Sequence, residues 1–380
     1  MSALQEEKVG GREFTSIFLI AVGMKLSDIT TTILFDSGQT AGWMIPLLSL
    51  GFMLIAYVVL MSVLKRHPGQ GLPEIVFAIG GKFGGALICL LLFAAALLMT
   101  SVTSRGYVDI INVMVYQRTP LYALYLMLLA AALYVAHRGF AAIARISWLI
   151  IFPIEGAIVL LVSIMWQDID WLRLFPWLGP GPLKIVETGL MHSAMFGEII
   201  LATALVPRVS SFKAFRIGSA LGFVISSLKI SFLMAVYVSV FDYPEIIHIA
   251  YPFQQLTKNT SFGRVFTHAE SFFIAFWLLI SVVYFAFYIY LLAYLFGHAV
   301  RASDHRKLQI PMAGLVFFIG LVPGNTEQVR SYWELLMSYS TLLYGALPFI
   351  IWMLDRIRRS RHDSPQHPQP QAQPNPQANA

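Results

Sequence analysis

Long apolar runs, separated by short polar segments, dominate the chain from Phe14 to Leu354. Many of these runs are close to twenty residues, about the length at which a helix crosses the hydrocarbon core of a bilayer. An open sheet leaves backbone groups unpaired in lipid, and the runs are too long and continuous for the strands of a membrane barrel. The pattern therefore predicts an all-α integral membrane protein.

The runs divide into about ten transmembrane helices, which form one transmembrane domain over residues 14–355. The predicted spans are 14–35, 43–64, 84–104, 119–137, 143–166, 187–207, 214–241, 270–298, 308–323 and 332–354.

The positive charges of the loops predict the orientation. With ten spans, the loops and termini on one side of the membrane hold seventeen Lys and Arg residues, and the loops on the opposite side hold seven. Arg105, in the loop after the third span, is one of the seven. Because Lys and Arg are enriched in cytoplasmic loops, residues 1–13 and 356–380 are both predicted to be cytoplasmic, at a cell membrane or a spore inner membrane. The final segment is rich in Pro, Gln and Asn and is predicted to be disordered.

The composition agrees with a membrane protein and excludes several other classes. Mean hydropathy is +0.70 and only 12% of residues are charged, whereas soluble domains have about a quarter. The net charge of +6 does not indicate nucleic acid, since the positive residues flank the spans. Cys89 is the single cysteine and predicts a small buried apolar residue, so we expect no disulfide, no metal site and no cofactor.

A few ionisable residues lie inside the predicted spans, where each costs at least about 2.5–3.5 kcal/mol to insert. Such residues are candidates for a ligand site or for an ion or proton pathway. They are Lys25 and Asp28 in the first span, Glu155 in the fifth, His192 and Glu198 in the sixth, and Lys229 in the seventh.

Two spans carry polar interruptions that predict discontinuous helices, in the first span near residue 25 and in the sixth near residue 196. Five helices separate these points, so the second half (about 187–354) is predicted to be an inverted repeat of the first (about 14–166). Matched breaks in inverted repeats indicate a binding site at the membrane midplane. The candidate ligand-binding residues are Gly23, Lys25, Ser27, Asp28, Ser193, Phe196, Gly197 and Glu198.

Free amides at half-helix N-termini can bind a carboxylate and free carbonyls an ammonium, and an α-amino acid carries both. Alternatives remain open for the charged residues. Lys25 and Asp28 could form a structural ion pair, and Glu155 could accept a proton or pair with Lys25. His192 is more often an interior hydrogen bonder than a ligand, and the sequence identifies no partner for Lys229.

The chain resembles the spore germination receptor B-subunit family, a branch of the amino acid–polyamine–organocation transporter superfamily, over about residues 12–355. The stretch RHPGQGLPEIVFAIGGKFGG after the second span carries one family pattern. Further matches are RTP at 118–120, RISWLIIFP at 145–153, and LFPWLGPGPLKIVETGLMHSAMFGE, which ends at Gly197 and Glu198. The pattern residues of the first stretch are Pro68, Leu72, Glu74, Gly80, Lys82 and Gly84.

The resemblance implies ten helices in a five-plus-five inverted repeat, with the first and sixth unwound around an amino-acid-sized pocket. It also implies sensing of nutrient germinants such as L-alanine in the inner membrane of a spore, together with an A subunit and a lipoprotein C subunit. One departure concerns the first break, where related transporters are glycine-rich and this chain reads AVGMKLSD. Lys25 either supplies a positive charge or occupies the site of a coupling cation, which argues against sodium-coupled transport.

The leading hypothesis is a germinant-sensing membrane subunit that binds a small nutrient, most simply an amino acid, between helices 1 and 6. The alternative is a proton-coupled amino acid transporter (permease) that uses Glu198 or Glu155. An ion channel also stays open, since polar residues of the first, fifth and sixth helices could line a water path. The sequence contains no Ser/His/Asp set, metal-ligand cluster or phosphate-binding loop at a span end, so we expect no enzyme.

Overall fold

The computed structural model describes residues 7–259 and 269–362, and this part of the chain is helical. Its one β-type pairing is an isolated bridge between Val9 and Val209, so the all-α prediction is confirmed for the described residues. The helices are α1 (Gly11–Ala21), α2 (Thr30–Gly38), α3 (Ile45–Leu64), α4 (Leu72–Met114), α5 (Leu121–His137), α6 (Phe140–Ile164), α7 (Pro182–Met191), α8 (Glu198–Leu201), α9 (Phe212–Phe241), α10 (Pro252–Asn259), α11 (Ala269–Ala299), α12 (Gln309–Gly320) and α13 (Thr326–His362).

Six helical segments of the described chain are long and apolar enough to cross a membrane, or seven if the bent stretch from α7 to Arg208 counts as one span. The helix α5 covers the predicted fourth span but is shorter than this criterion. The predicted number of ten spans and the inverted repeat therefore stay predictions. The six segments are Thr30–Leu64, Leu72–Met114, Phe140–Asp168, Phe212–Phe241, Ser271–Ala299 and Thr326–Ser360.

The centre of the bundle is formed by α1 and α11. The helix α1 packs against α6 and α9, while α11 packs against α4 and α5, and α13 closes the bundle against α3 and α4. Every residue from 283 to 295 of α11 is buried. A helix that is apolar on all sides is one surrounded by other helices or lipid. This part of α11 therefore lies inside the bundle.

The first predicted span is broken, at the residues where the sequence predicts a break. The helix α1 ends at Ala21, a single 3₁₀ turn covers Gly23–Leu26, and α2 begins only at Thr30. The side chain of Asp28 accepts a hydrogen bond from the Thr30 amide at 2.9 Å. Short polar side chains that bond their own backbone compete with a continuous helix, which explains the interruption between the two halves.

The sixth predicted span is broken in the same manner. The helix α7 ends at Met191, a 3₁₀ turn covers Ser193–Phe196, and the chain then continues as α8 and a 3₁₀ segment that ends at Arg208. The axes before and after the turn differ by 52°. Backbone groups in the turn thus lack the regular partners that a continuous helix would supply.

The long helix α4 both confirms and corrects the sequence interpretation. It begins one residue before Pro73, and it is kinked at Gly81, whose φ is +68°. The placement of Arg105 in an outer loop was wrong, because α4 continues to Met114 and Arg105 is a buried helical residue. Arg105 is neutralised within the helix by Asp109 at 3.0 Å and also donates to the Pro323 carbonyl at 2.5 Å.

Two long connections cover the end of the bundle that carries Gly38. In the segment 167–181, Trp177 packs edge-on against Trp43 with ring centroids 6.3 Å apart. The segment that follows α9 enters the bundle through α10, where Gln254 is only 3% exposed. The tail predicted to be disordered is 356–380, but its first residues, up to His362, belong to α13. Residues 260–268 and 363–380 lie outside the described residues.

We predict that Arg105→Met destabilises the protein by about 3–5 kcal/mol, because it leaves the Asp109 carboxylate buried without its partner. The double variant Arg105→Met/Asp109→Leu should recover most of that loss, since it removes both charges. Thermal unfolding of the purified protein in detergent measures both effects. A double variant as unstable as the single one would contradict this account of Arg105.

Candidate functional site

The two helix breaks meet at Lys25. Its ammonium lies 2.7 Å from Glu198 Oε1 and also donates to the Met195 carbonyl in the turn before Glu198. Lys25 and Glu198 are each only 7% exposed. One side chain from the first break thus bonds both to a carboxylate and to a backbone carbonyl of the second break.

The two oxygens of Glu198 differ in their surroundings. Oε1 accepts hydrogen bonds from Lys25 and from the Tyr288 hydroxyl, which lies 2.5 Å away. Oε2 is buried and has no hydrogen-bond partner among the described residues. A buried carboxylate oxygen without a donor is costly, so Oε2 marks the least satisfied point of the site.

A small cavity of about 30 Å³ lies beside this cluster. Its lining contains one basic and two acidic side chains together with hydroxyl and aromatic groups. The lining residues on which the site depends are Lys25, Asp28, Gly197 and Glu198 from the two breaks, Thr100 and Thr103 from α4, Tyr284 and Tyr288 from α11, and Trp333, Ser340 and Tyr344 from α13.

Asp28 connects this cavity to a second one. Asp28, Thr103 and Trp333 line both, and the second cavity continues to Tyr251 and Thr326. Tyr251 precedes α10 and Thr326 begins α13, so the second cavity leads toward the end of the bundle covered by the long connections. The two cavities therefore adjoin at Asp28, Thr103 and Trp333, between that end and the pair Lys25 and Glu198.

The carbonyls of the first break are satisfied by side chains of other helices. The Tyr237 hydroxyl donates to the Leu26 carbonyl at 2.9 Å, and Gln254 Nε2 donates to the Ser27 carbonyl at 3.1 Å. The Trp277 indole donates to the Ser27 hydroxyl at 2.9 Å. These contacts bind the first break to α9, α10 and α11 through side chains of the protein itself.

Stacked aromatic rings form the wall behind the first break. Tyr107 stacks on Trp277 at 5.1 Å and on Tyr284 at 5.6 Å between ring centroids. Such rings bury large apolar area in a defined geometry, so this wall fixes the positions of Trp277 and Tyr284 relative to the two breaks.

The charges that the sequence left without a definite partner form a second ion pair. Lys229 Nζ lies 2.5 Å from Glu155 Oε1, so Glu155 is bonded to Lys229, while Lys25 is bonded to Glu198. Lys229 lines a separate, mainly apolar cavity with Gly23 and Ser27. The structure therefore separates the predicted charged residues into two clusters on different sides of the first break.

The remaining predicted residues lie around the second break rather than in the main cavity. His192 Nδ1 is 2.9 Å from the Thr188 carbonyl, and its ring stacks on Trp333 at 6.3 Å, which places it behind the cavity wall. Ser193 lines a different groove between α3, α7 and α13. Phe196 packs edge-on against Phe223 with ring centroids 6.5 Å apart.

Of the aromatic residues of α11 that contact the site, the sequence indicated Tyr284 as a plausible lining residue, whereas Trp277 and Tyr288 were missed. Trp277, Tyr284 and Tyr288 recur at intervals of seven and four residues, which places them on one face of a helix. The ionisable residues of the spans do not indicate this stripe. The signal that could have found it is the recurrence of aromatic residues with polar tips within one span.

Polar pairs also connect the helices on both sides of the breaks. On one side, His298 Nε2 donates to Glu74 Oε1 at 3.2 Å, and Glu74 Oε2 accepts from the Gly71 amide at 2.9 Å. On the other side, Arg330 of α13 forms an ion pair with Asp36 of α2. These contacts join separate helices at both ends of the bundle, with the main cavity between them.

The site lacks the features of a metal centre. Among the described residues, no group of three or more His, Cys, Asp or Glu side chains has an arrangement suited to a metal ion.

The sequence comparisons place this architecture in a family. A family model described as "Spore germination protein" matches residues 13–329, which is most of the chain. The chain belongs to the spore germination protein family. The resemblance to spore germination proteins inferred from the motifs is thereby confirmed, and the apolar helices agree with a multi-pass membrane member of that family.

Curated relatives of this spore germination protein come from Bacillus subtilis (strain 168). It is 25% identical to spore germination protein A2 over 91% of this chain and 95% of the relative. It is 23% identical to spore germination protein B2 over 85% of this chain and 89% of the relative. It is 21% identical to the putative spore germination protein YfkT over 90% and 94% of the two chains.

We predict that Gly197→Ala disturbs the second break, because an added Cβ would lie 2.3 Å from Cδ2 of Tyr344. The expected loss of stability is about 1–3 kcal/mol, typical of overpacking, and thermal unfolding in detergent measures it. In the background Tyr344→Ala the same substitution should cost clearly less, since the ring is gone and only the Ala194 carbonyl oxygen, 3.0 Å from the added Cβ, remains close.

Gly345→Ala is the matched control for this experiment. It changes a neighbouring glycine in α13 whose added Cβ would meet no atom within 4 Å. Equal destabilisation by Gly345→Ala and Gly197→Ala would refute the assignment of the effect to the Tyr344 contact.

Proposed function

We propose that this spore germination protein is the nutrient-sensing membrane subunit of a germinant receptor. A small nutrient, most simply an amino acid, binds between helices 1 and 6 in the cavity at Lys25 and Glu198, and its binding starts germination. The observation that carries the proposal is the bridge from Lys25 in the first break to Met195 and Glu198 in the second. A ligand that binds at this bridge contacts both breaks at once.

The bridge also explains how a ligand would act without being transported. Lys25 joins the two breaks, while Tyr237 and Gln254 hold the first break against α9 and α10. A ligand shifts such a conformational equilibrium only by its difference in affinity for the two states. A ligand that changes the bonding of Glu198 binds the two conformations with different affinities, and this difference is sufficient for a sensor.

The proposed partners and location are supported by membership of the family. We infer that the protein lies in the inner membrane of a spore with both termini in the cytoplasm, and that its conformational change passes to an A subunit and a lipoprotein C subunit. The bilayer is its remaining partner, and nucleic acid is not expected. Co-purification of the three subunits from spore membranes tests this assembly.

A proton-coupled amino acid transporter is the second candidate. It is favoured by the acidic side chains Asp28 and Glu198 along the two connected cavities, which is an arrangement in which a proton could be exchanged. In this reading the same cavity alternates its exposure between the two sides of the membrane.

Reconstitution distinguishes the two functions. We predict that the purified protein in liposomes binds at least one of the twenty common amino acids, detected by calorimetry, and does not accumulate it when a pH gradient is imposed. Accumulation of an amino acid that depends on the pH gradient, without other subunits, would refute the sensor function and support transport. Absence of binding by the folded protein would contradict both.

A further inference from the structure

A buried carboxylate gathers positive side chains from two helices at one end of the bundle. Asp355 of α13 is only 2% exposed. Its Oδ2 lies 3.2 Å from Nη1 of Arg66, which follows α3, and 3.3 Å from Nε of Arg359 in the next turn of α13. Its Oδ1 lies 2.9 Å from Nε2 of His67. Two guanidinium groups thus meet at one oxygen, and we call Arg66, Arg359 and Asp355 the arginine cluster.

The arginine cluster carries more positive than negative charge. The carboxylate neutralises one guanidinium group of the two, and each group donates to it from a single nitrogen. The side chains of Arg66 and Arg359 are 38% and 44% exposed, so their other N–H groups are accessible. Guanidinium groups bind phosphate through paired, charge-assisted hydrogen bonds, and the cluster is therefore suited to a phosphate. Three further positive residues that are exposed adjoin it in sequence, namely Lys65, Arg356 and Arg358.

The arginine cluster lies where α3 and α13 leave the hydrocarbon core. The apolar sequence of α3 ends at Leu64 and that of α13 ends at Leu354, just before the cluster in each case. The guanidinium of Arg356 lies over the ring of Trp352, 5.4 Å from its centroid. Tryptophan is enriched at the level of the lipid headgroups. The cluster is therefore at the depth of the phosphates of one leaflet.

An apolar groove of about 570 Å³ lies between the same two helices, with the end of α7 as its third side. On α13 its lining runs from Ser338 past Gly345 to Phe349. Phe349 lies about 9 Å before Asp355 at the rise of an α-helix. Because each leaflet contributes about 15 Å to the hydrocarbon core, acyl chains of a lipid held at the arginine cluster reach this groove.

A phospholipid matches both parts of this surface. A free phosphate or an acidic peptide would contact the arginine cluster and leave the groove unused, whereas an apolar helix would fill the groove without bringing an anion. The apolar surface is also continuous between the two parts, since Met353 lies one turn beyond Phe349 and is 52% exposed. One molecule with an anionic head and apolar chains therefore accounts for the whole surface.

We propose that the arginine cluster and the groove together bind one anionic phospholipid, whose phosphate pairs with Arg66 and Arg359 and whose acyl chains lie between α3 and α13. The groove shares no lining residue with the main cavity, so this site does not depend on the proposed function. It does extend to Thr341, whose hydroxyl accepts from the Ala194 amide at 3.1 Å and donates to the Met191 carbonyl at 2.8 Å. A lipid in the groove thus packs against the helix that holds the second break.

Competition between two lipids tests the proposal on the full-length protein in a nonionic detergent. Phosphatidylglycerol and phosphatidylcholine with identical acyl chains are added in equal amounts, and the retained lipids are counted by mass spectrometry of the intact complex. We expect one phosphatidylglycerol per protein, retained about tenfold or more over phosphatidylcholine. Retention without this preference, or displacement of the lipid by inorganic phosphate at the same concentration, would overturn the proposal.

The variant Arg66→Gln/Arg359→Gln tests the phosphate contact and should reduce the preference to about twofold or less. Adding Asp355→Asn leaves no unpaired buried acid, so the triple variant gives the same test if the double variant does not fold. Arg138→Gln/Arg216→Gln is the control, because it removes the same charge from two exposed arginines outside the cluster, and it should keep the preference. A preference that survives in the triple variant, or an equal loss in the control, would refute the assignment to the cluster.

The variant Gly345→Leu tests the groove without changing any charge. An added Cβ at Gly345 meets no atom within 4 Å, so a leucine side chain there extends into the groove and should reduce the retention of phosphatidylglycerol by about threefold or more. Gly314→Leu is the matched control, since its added Cβ is equally free but Gly314 lies in α12, outside the groove. Equal retention by the two variants would contradict the placement of the acyl chains.

Discussion

An ammonium inside a membrane protein must find a partner, and this requirement organises the site around Lys25. In a continuous helix the Met195 carbonyl would accept the amide four residues further along the chain. The break after α7 removes that regular partner, and Lys25 donates to the carbonyl instead. The second break and the buried lysine of the first therefore depend on one another, and Glu198 completes the charge balance at 2.7 Å.

The two breaks are held in different ways. Neutral side chains from α9, α10 and α11 satisfy the first one, through Tyr237, Gln254 and Trp277. The second one is held in part by a charge. A buried ion pair contributes little net stability, yet losing one partner is expensive. A charged group that competes for Glu198 therefore needs to replace only one contact, the one with Lys25, to weaken the link between the two breaks.

Much of this arrangement could be predicted from the sequence, because polar residues inside apolar runs are visible without a structure. Both breaks and the buried charges Lys25, Asp28 and Glu198 were predicted in this way. The pairing of Lys229 with Glu155 was not, since it depends on how α6 and α9 rotate against each other. The error at Arg105 has a similar cause, because Asp109 and the Pro323 carbonyl make the arginine acceptable inside α4, and neither contact is evident from local hydropathy.

The separation of Lys25 from Glu198 by 173 residues has a consequence for how the protein is made. At typical synthesis rates of about 5–20 residues per second, the ribosome adds the partner on the order of 10–30 s after the lysine. During that interval the first polar segment is in or near the bilayer with no carboxylate from the second break. The first segment therefore reaches its final contacts only after the sixth predicted span has been synthesised. Until then the bundle in the membrane is incomplete.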